Sequence, residues 1–339
     1  PRAARGAKGE ARGGSPEGGP TDPLGPTVRP RGIFPPSLDR TCSILGPVAD
    51  GKTSFEGVDI LDPAVHTGDP WPLYTWLREE RPAYWDAANE VWAISRYEDI
   101  ARISKAPDTF TSTEGNRPHI PPDPSFIHTD GVEHARRRRM VSMRFTPSYM
   151  KSLEPWVREV VRSFLDRIKG RGECEFVGEV AARVPMRIIA GKLGTPPEDD
   201  DRLMEWVDRF HKGGCGPDYV TDDVVDAFGE FADYHEAVKE DIAARTEPKD
   251  DILTAWPTAH DEHGEPLPEE EILFDHTMLL VGGSETTRNV MSSALEAFSR
   301  HPEQWEALKA DPDGLMETAV EEAVRWSTPF ISMCRTAMC

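Results

Sequence analysis

The sequence predicts a mainly α-helical fold with one small β element near its N-terminal side. From about residue 130 onward, apolar residues recur with the period of amphipathic helices, about 3.6 residues, in nearly every segment. Before that point, the stretch AYWDAANEVWAISRY has two aromatic and β-branched runs on either side of residues 86–89, which is typical of a β-hairpin. At 339 residues, the chain is long enough to bury a sizeable core.

The predicted helices follow one another along the chain. Leu73, Trp76 and Leu77 have the i, i+3, i+4 spacing of a short amphipathic helix before the hairpin. After the hairpin, helical patterns cover residues 96–105 and then, beyond a Pro-rich loop at 111–128, about 131–143, 148–170, 174–193, 198–211, 221–245, 268–299, 302–310 and 313–327. Strand signals almost vanish in this second part, so a mostly α architecture is expected.

Composition excludes several function classes. A formal net charge of −21 argues against a general nucleic-acid or anionic-membrane binder. The five cysteines are scattered and lack CxxC spacing, which argues against a disulfide framework or a zinc site and for a reducing, cytoplasmic location. Residues 1–38 are rich in Pro, Gly and Arg without periodicity, so we expect this segment to be disordered.

The helix predicted over residues 268–299 has an unexpected polar centre. Gly282 and Gly283 lie side by side in an apolar run, and Glu285 and Thr286 follow directly. Two missing side chains would let a flat or small ligand approach the backbone, and an acid beside an alcohol can deliver protons. Thr286 could bond a carbonyl one turn back or hold a ligand and water in a locally opened helix. The alternative is a glycine kink with a solvated glutamate.

Two other charged pairs have helical spacing. His134 and Arg138 are i, i+4 neighbours and could clamp two carboxylates, within a basic run at Arg136–Arg139. A solvated basic face is the alternative, and a DNA-contacting patch is a weaker one because no aromatic residues interleave the arginines. Glu322 and Arg325 are i, i+3 neighbours on an otherwise apolar helix, so they form either a buried pair or an ordinary surface pair.

In this order and spacing, the motifs resemble those of the cytochrome P450 family, the haem-thiolate monooxygenases. Residues 282–287, GGSETT, are similar to the (A/G)-G-x-(D/E)-T-(T/S) signature of the long helix over the haem. Glu322-x-x-Arg325 is similar to the E-x-x-R signature, and His134-x-x-x-Arg138 together with Arg335 resembles the residues that hold the haem propionates. The resemblance covers about residues 55–337 and implies a P450 fold over residues 39–339 that is incomplete at its C-terminus.

The resemblance implies a haem b cofactor and electrons from NAD(P)H through redox partner proteins. Thr286 would position oxygen and a water, Glu285 would relay protons, and the two glycines would leave room over the cofactor. A ferredoxin-type partner would dock on the basic face at Arg136–Arg139. Stretches such as LLVGGSETTRN and AVEEAVRW are similar to actinobacterial members that oxidise sterols, terpenoids or branched lipids. Hydroxylation of a hydrophobic substrate is therefore the expected reaction.

One family motif is not found among the 339 residues. The axial cysteine of a haem thiolate lies in F-G-x-G-x-H-x-C-x-G, and neither Cys334 nor Cys339 has that glycine-rich turn. We therefore expect no metal ligand here, and a partial domain without the Cys-ligand loop and the helix after it. An inactive or incomplete monooxygenase and a non-catalytic helical remnant or binding protein both remain open.

This expectation has a spectroscopic test. When haem is supplied and the chain is reduced under carbon monoxide, no thiolate-type absorption band should form, because no cysteine is presented to the iron. The difference spectrum before and after carbon monoxide measures this. A normal thiolate band would refute the expectation.

Overall fold

The computed structural model describes residues 55–212, 220–247, 249–256 and 265–338. The predicted disordered segment 1–38 lies outside these ranges, as does Cys339. The helices in the described part are α1 (Pro63–His66), α2 (Trp71–Glu79), α3 (Tyr97–Ser104), α4 (Gly131–Ser142), α5 (Pro147–Ile168), α6 (Arg183–Leu193), α7 (Asp200–Lys212), α8 (Asp222–Ala243), α9 (Ile252–Ala255), α10 (Glu269–Arg300), α11 (Pro302–Ala310) and α12 (Pro312–Ser327). The mainly α prediction is confirmed.

Two small antiparallel sheets accompany the helices. Strand β1 (Ala83–Asp86) pairs with β2 (Val91–Ile94), as the hairpin pattern predicted, and Trp85 lies opposite Trp92. Strand β3 (Phe110–Thr111) pairs with β4 (Thr336–Ala337), which the sequence did not predict. Two residues per strand are too few for an alternating pattern to show. This second sheet places the segment before β4 beside the loop after β3, where the Cys334 N–H donates to the Asn116 carbonyl at 2.8 Å.

The predicted helix over 174–193 is divided in the structure. A π-helical turn at Val177–Ala181 precedes α6, and the Glu175 carboxylate accepts hydrogen bonds from the backbone N–H groups of Val177 and Gly178 at 3.1 and 2.6 Å. This side chain caps the first turn, so regular helix begins later than the hydrophobic pattern indicates. In the described part of the chain, no helix is both long and apolar enough to cross a membrane.

The 32-residue helix α10 packs against α6 and α12. Its two glycines have different environments. A β-carbon on Gly283 would lie 2.6 Å from Ile189 Cγ1 of α6, whereas one on Gly282 would meet no atom within 4 Å. The prediction that both glycines admit a ligand is therefore wrong for Gly283, because Ile189 fills the place of its missing side chain. Gly282 does border open space.

A histidine pair joins α8 to α10 in the core. His235 and His276 are 1% and 0% exposed, and their Nδ1 atoms are 2.8 Å apart, so one ring donates its Nδ1–H to the other. Neither Nε2 atom has a hydrogen-bond partner among the described residues, and the rings of Phe231 and Trp256 flank His276. Burial lowers the pKa of both rings, that of His235 to about 4. The pair is therefore neutral in the folded protein at neutral pH.

The buried pair should make the protein lose stability in mild acid. Below about pH 6.5, histidines of the unfolded chain bind protons, whereas His235 in the fold does not until about pH 4, so the unfolding free energy falls as pH decreases through this window. The variant His235→Leu/His276→Leu should lose less stability over the same window than the parent. Urea denaturation at several pH values measures this.

Leu253→Ala provides the control, because Leu253 is 1% exposed in the same core and has no titratable group. It should lower the unfolding free energy by a similar amount at every pH and keep the parental pH dependence. An unchanged dependence in the double variant would contradict the assignment.

The two glycines of α10 allow a matched comparison of stability. Gly282→Ala should raise the unfolding free energy by up to about 1 kcal/mol, because the methyl group enters open space and alanine favours helix. Gly283→Ala should lower it by about 1–3 kcal/mol, because the methyl group would overlap Ile189. Thermal and urea unfolding measure both. Adding Ile189→Ala to Gly283→Ala should remove the overlap, and equal effects at the two glycines would exclude this packing role.

Candidate active site

The polar centre of α10 lies in uninterrupted helix. The Thr286 hydroxyl donates to the Gly282 carbonyl at 2.8 Å, so of the two predicted arrangements the structure has the bond to the preceding turn and no opened helix. Because Gly282 and Thr286 are i, i+4 neighbours, the open space beside Gly282 adjoins the Thr286 hydroxyl. With its proton engaged by the carbonyl, this hydroxyl oxygen can still accept a hydrogen bond from a water or ligand.

The neighbouring acid, Glu285, belongs to an ion-pair chain that leads toward α7. Its side chain is 14% exposed, and Oε2 lies 2.5 Å from Nη2 of Arg288. A second nitrogen of Arg288, Nη1, is 3.0 Å from Asp208 Oδ1, and the Asp208 side chain is 54% exposed. Burial raises the pKa of Glu285 and outweighs the opposing attraction of Arg288. A carboxyl with a raised pKa that is 14% exposed is suited to proton exchange with solvent. Arg288 holds this carboxyl in place without relaying protons, because a guanidinium keeps its proton.

The three predicted cationic residues have distinct positions. The His134 Nδ1–H donates to the Phe126 carbonyl at 3.0 Å, which leaves Nε2 free of that bond. Arg138 is exposed, and no ion pair engages it within the described residues. Arg335 precedes β4, and its Nη1 donates to the Cys334 carbonyl at 2.7 Å. His134 and Arg138 lie on successive turns of α4.

The β3–β4 sheet connects Arg335 with the start of α4. Asp130, which precedes α4, accepts from the Thr111 hydroxyl at 2.5 Å and from the Ser112 N–H at 2.8 Å, and Thr111 pairs with Thr336. Arg335 is thereby held at the N-terminal end of the helix that carries His134. Cationic donors of this kind fit the two propionates of a haem, and the open space at Gly282 fits a flat group near α10.

The basic face predicted at Arg136–Arg139 is not a continuous surface. Arg137 is 2% exposed and points into the core, because consecutive helical residues are rotated by about 100°. Arg136 binds Glu133 through Nε at 3.0 Å. Arg138 and Arg139 are the members of the run that are exposed. The arginine-face prediction is therefore wrong for Arg137 and weakened for Arg136, and the DNA-contact alternative loses the same charges.

The Glu322–Arg325 pair is intermediate between the two predicted alternatives. Arg325 donates two hydrogen bonds to the Glu322 carboxylate, at 2.6 and 2.7 Å. The Arg325 side chain is 62% exposed and the Glu322 side chain is 9% exposed. The carboxylate is thus buried while the guanidinium reaches the surface of α12. This bidentate bond raises the pKa of Arg325, so the guanidinium stays charged.

The sequence motifs did not predict two buried charged residues. Arg137 of α4 pairs with Asp275 of α10, and the atoms Nη2 and Oδ1 are 2.8 Å apart. A signal for Asp275 was present, because it interrupts the apolar run ILFDHTMLLV on a helix that must be buried. Arg137 carried none, since it lies in a run of four arginines.

A histidine with two acids is the one candidate metal cluster in the described part of the chain. A ring nitrogen of His235 and carboxylate oxygens of Glu236 and Glu269 lie within 4.8 Å of one another. The Lys239 ammonium already contacts both carboxylates, at 3.3 Å from Glu236 and closer to Glu269. Lys239 supplies the positive charge that these acids need.

Comparison with known proteins gives several relatives. The chain is 35% identical over 266 residues to a steroid C26-monooxygenase of Mycolicibacterium smegmatis, covering 78% of this chain and 65% of that protein. It is 32% identical over 293 residues to a steroid C26-monooxygenase of Mycobacterium tuberculosis, covering 84% and 71%. A methyl-branched lipid omega-hydroxylase of Mycobacterium bovis is 32% identical over 311 residues, with 86% and 71% covered. The chain thus spans about two thirds of the length of these relatives.

Solved structures share the fold. Mycobacterium marinum cytochrome P450 CYP268A2 in complex with pseudoionone superposes with a TM-score of 0.74 at 26% identity, covering 84% of this chain and 75% of that one. CYP109E1 from Bacillus megaterium in complex with testosterone gives 0.67 at 26% identity, covering 76% and 67%. No family model matches the sequence. The shared fold and a relative 32% identical over 71% of its own length establish that the chain belongs to the cytochrome P450 family.

Proposed function

We propose that the chain provides the oxygen-handling and propionate-binding parts of a monooxygenase that hydroxylates a hydrophobic substrate of the sterol or branched-lipid class. One observation carries the proposal. The open space at Gly282 lies beside the Thr286 hydroxyl, and Glu285, which has the carboxyl group, directly precedes Thr286. The relatives named steroid C26-monooxygenase and methyl-branched lipid omega-hydroxylase support the substrate class.

Haem b, when bound, supplies the iron that activates dioxygen, with electrons from NAD(P)H through redox partners. His134, Arg138 and Arg335 would hold its propionates through charge-assisted hydrogen bonds of about 1.5–3 kcal/mol each. The Thr286 oxygen accepts a hydrogen bond from a water in the open space, which orients that water. The Glu285 carboxyl, whose pKa burial raises and whose side chain is 14% exposed, would take up a proton from solvent and pass it to that water.

The electron donor would be a ferredoxin-type protein. The family resemblance supports this partner. Arg139 on α4, a member of the predicted docking face, is exposed and would contact it. An acidic ferredoxin would be drawn there mainly through a faster association rate, which falls as salt increases.

Haem and its dimethyl ester test the cofactor assignment. The chain should bind haem more tightly than the ester, which lacks propionate charges, and His134→Ala/Arg138→Ala should reduce that preference, with Arg335 as the remaining cation. Losing one charge-assisted bond lowers affinity by about tenfold to a hundredfold. Absorbance titration measures both ligands.

Arg158→Ala, on the surface of α5 in an exposed pair with Glu154, is the control and should change neither affinity. Equal affinities of the parent for haem and ester would refute the propionate role of His134 and Arg138.

The substrate class is tested with the same haem-loaded chain. A sterol and a methyl-branched fatty acid should bind in equilibrium dialysis, whereas a small hydrophilic aromatic should not. Gly282→Phe should abolish binding of the two lipids, because its ring fills the open space on the Thr286 face. Gly282→Ala should retain binding. Lipid binding that survives Gly282→Phe would place the substrate elsewhere.

A further inference from the structure

The buried ion pair between α4 and α10 also makes hydrogen bonds to backbone groups of the segment that precedes α4. Arg137 and Asp275 are 2% and 1% exposed, and a second contact joins Arg137 Nε to Asp275 Oδ2 at 3.3 Å. Arg137 Nη1 donates to the Pro124 carbonyl at 2.8 Å and lies 3.3 Å from Glu271 Oε2. One guanidinium thus binds α10 and the segment that precedes α4.

The same carboxylate anchors a backbone group next to the predicted cofactor site. Asp275 Oδ1 accepts the Phe126 N–H at 2.8 Å, and the Phe126 carbonyl accepts the His134 Nδ1–H at 3.0 Å. The Phe126 and His134 rings are also in edge contact, with centroids 5.9 Å apart. A continuous path of contacts therefore runs from α10 through Phe126 to His134.

This path determines which nitrogen of His134 can face a ligand. A carbonyl only accepts hydrogen bonds, so the bond to Phe126 requires the proton on Nδ1. Nε2 is then the nitrogen left for an external group, and it donates to an anion when it carries a proton as well. The ring plane is fixed by the packed Phe126 ring. Any shift of residue 126 would turn or release this imidazole.

Stability alone is a weak reason for such a pair. Apolar side chains of similar volume commonly replace a buried ion pair without loss of stability. Desolvation raises the pKa of Asp275 to about 6 in spite of Arg137, so ionising this carboxyl has a net cost in the fold. The backbone groups that the pair holds, at Pro124 and Phe126, are what an apolar pair could not reproduce.

We propose that Arg137 and Asp275 are positioning residues for the anionic edge of the cofactor, which hold residues 124–126 against α10 so that His134, with a proton on each ring nitrogen, donates its Nε2–H to a propionate. The proposal rests on the proposed function, because it takes His134 as a propionate-binding residue. It adds two residues that the P450-type motifs of this sequence do not include. Through these residues, contacts on α10 fix the position of His134 on α4.

The decisive variant is Arg137→Met/Asp275→Leu. Single substitutions leave one charge buried without its partner and can unfold the protein, whereas the double variant keeps apolar volume in place of both charges. It should fold with a near-parental unfolding midpoint, yet the Phe126 amide should exchange hydrogen faster and ¹⁵N NMR should show loss of the fixed Nδ1–H tautomer of His134. Its haem affinity should fall about tenfold, with the affinity for haem dimethyl ester unchanged.

Arg187→Met/Asp200→Leu is the matched control. This pair also has low exposure, 10% and 15%, with a contact of 2.6 Å between α6 and the start of α7, and Arg187 likewise donates to a carbonyl, that of Thr195. The control should change neither the His134 tautomer nor the preference for haem over its ester. Arg137→Lys, which keeps the charge without the planar fork, should be intermediate.

The proposal is overturned if the Arg137→Met/Asp275→Leu protein folds and keeps both the parental His134 tautomer and the parental preference for haem. Failure of the proposed function is a separate result, namely a parent chain that binds haem and ester equally. In that case, the cofactor role of Arg137 and Asp275 falls too. The NMR and exchange measurements, made without haem, then show whether the path to His134 exists.

Discussion

The close approach of α10 to α6 is the constraint on which the rest of the structure depends. At Gly283 the two helices come so near that Ile189 occupies the volume of a β-carbon. This contact fixes the rotation of α10 about its axis. Once that rotation is set, Gly282 and Thr286 necessarily share the face that borders open space, and Glu285 faces the ion pair with Arg288. The polar centre of the helix is thus oriented by an apolar contact on another side.

The N-terminal half of α10 joins the core through polar contacts. Asp275 pairs with Arg137 of α4, and His276, the next residue, pairs with His235 of α8. Adjacent residues on a helix point in directions about 100° apart, so one turn attaches two different elements. Contacts of this kind contribute little net stability, since desolvation offsets much of the attraction, but they are directional. They determine where α4 and α8 lie more sharply than hydrophobic contact would.

Sequence periodicity was enough to predict the helices of eight or more residues and the β1–β2 hairpin, because both depend on local patterns. The contact between Glu322 and Arg325 could also be predicted, since i, i+3 spacing within a helix places both on one face. Arg137 could not, because a run of arginines does not reveal which one points inward until the helix has a partner. Nor could the separate roles of Gly282 and Gly283, which depend on the single side chain of Ile189. The strand pair β3–β4 was missed because its register is set by distant segments.

That strand pair also has a consequence for the order of folding. Thr111 lies opposite Thr336, so their contact closes a loop that contains nearly all the helices. Closing so long a loop costs chain entropy that is recovered only when the intervening helices are already packed. The sheet therefore belongs to the late steps of folding, and Arg335 arrives with it. A chain that has assembled its helical core would still lack Arg335 beside the start of α4, and the proposed propionate-binding residues would come together only once β3 and β4 pair.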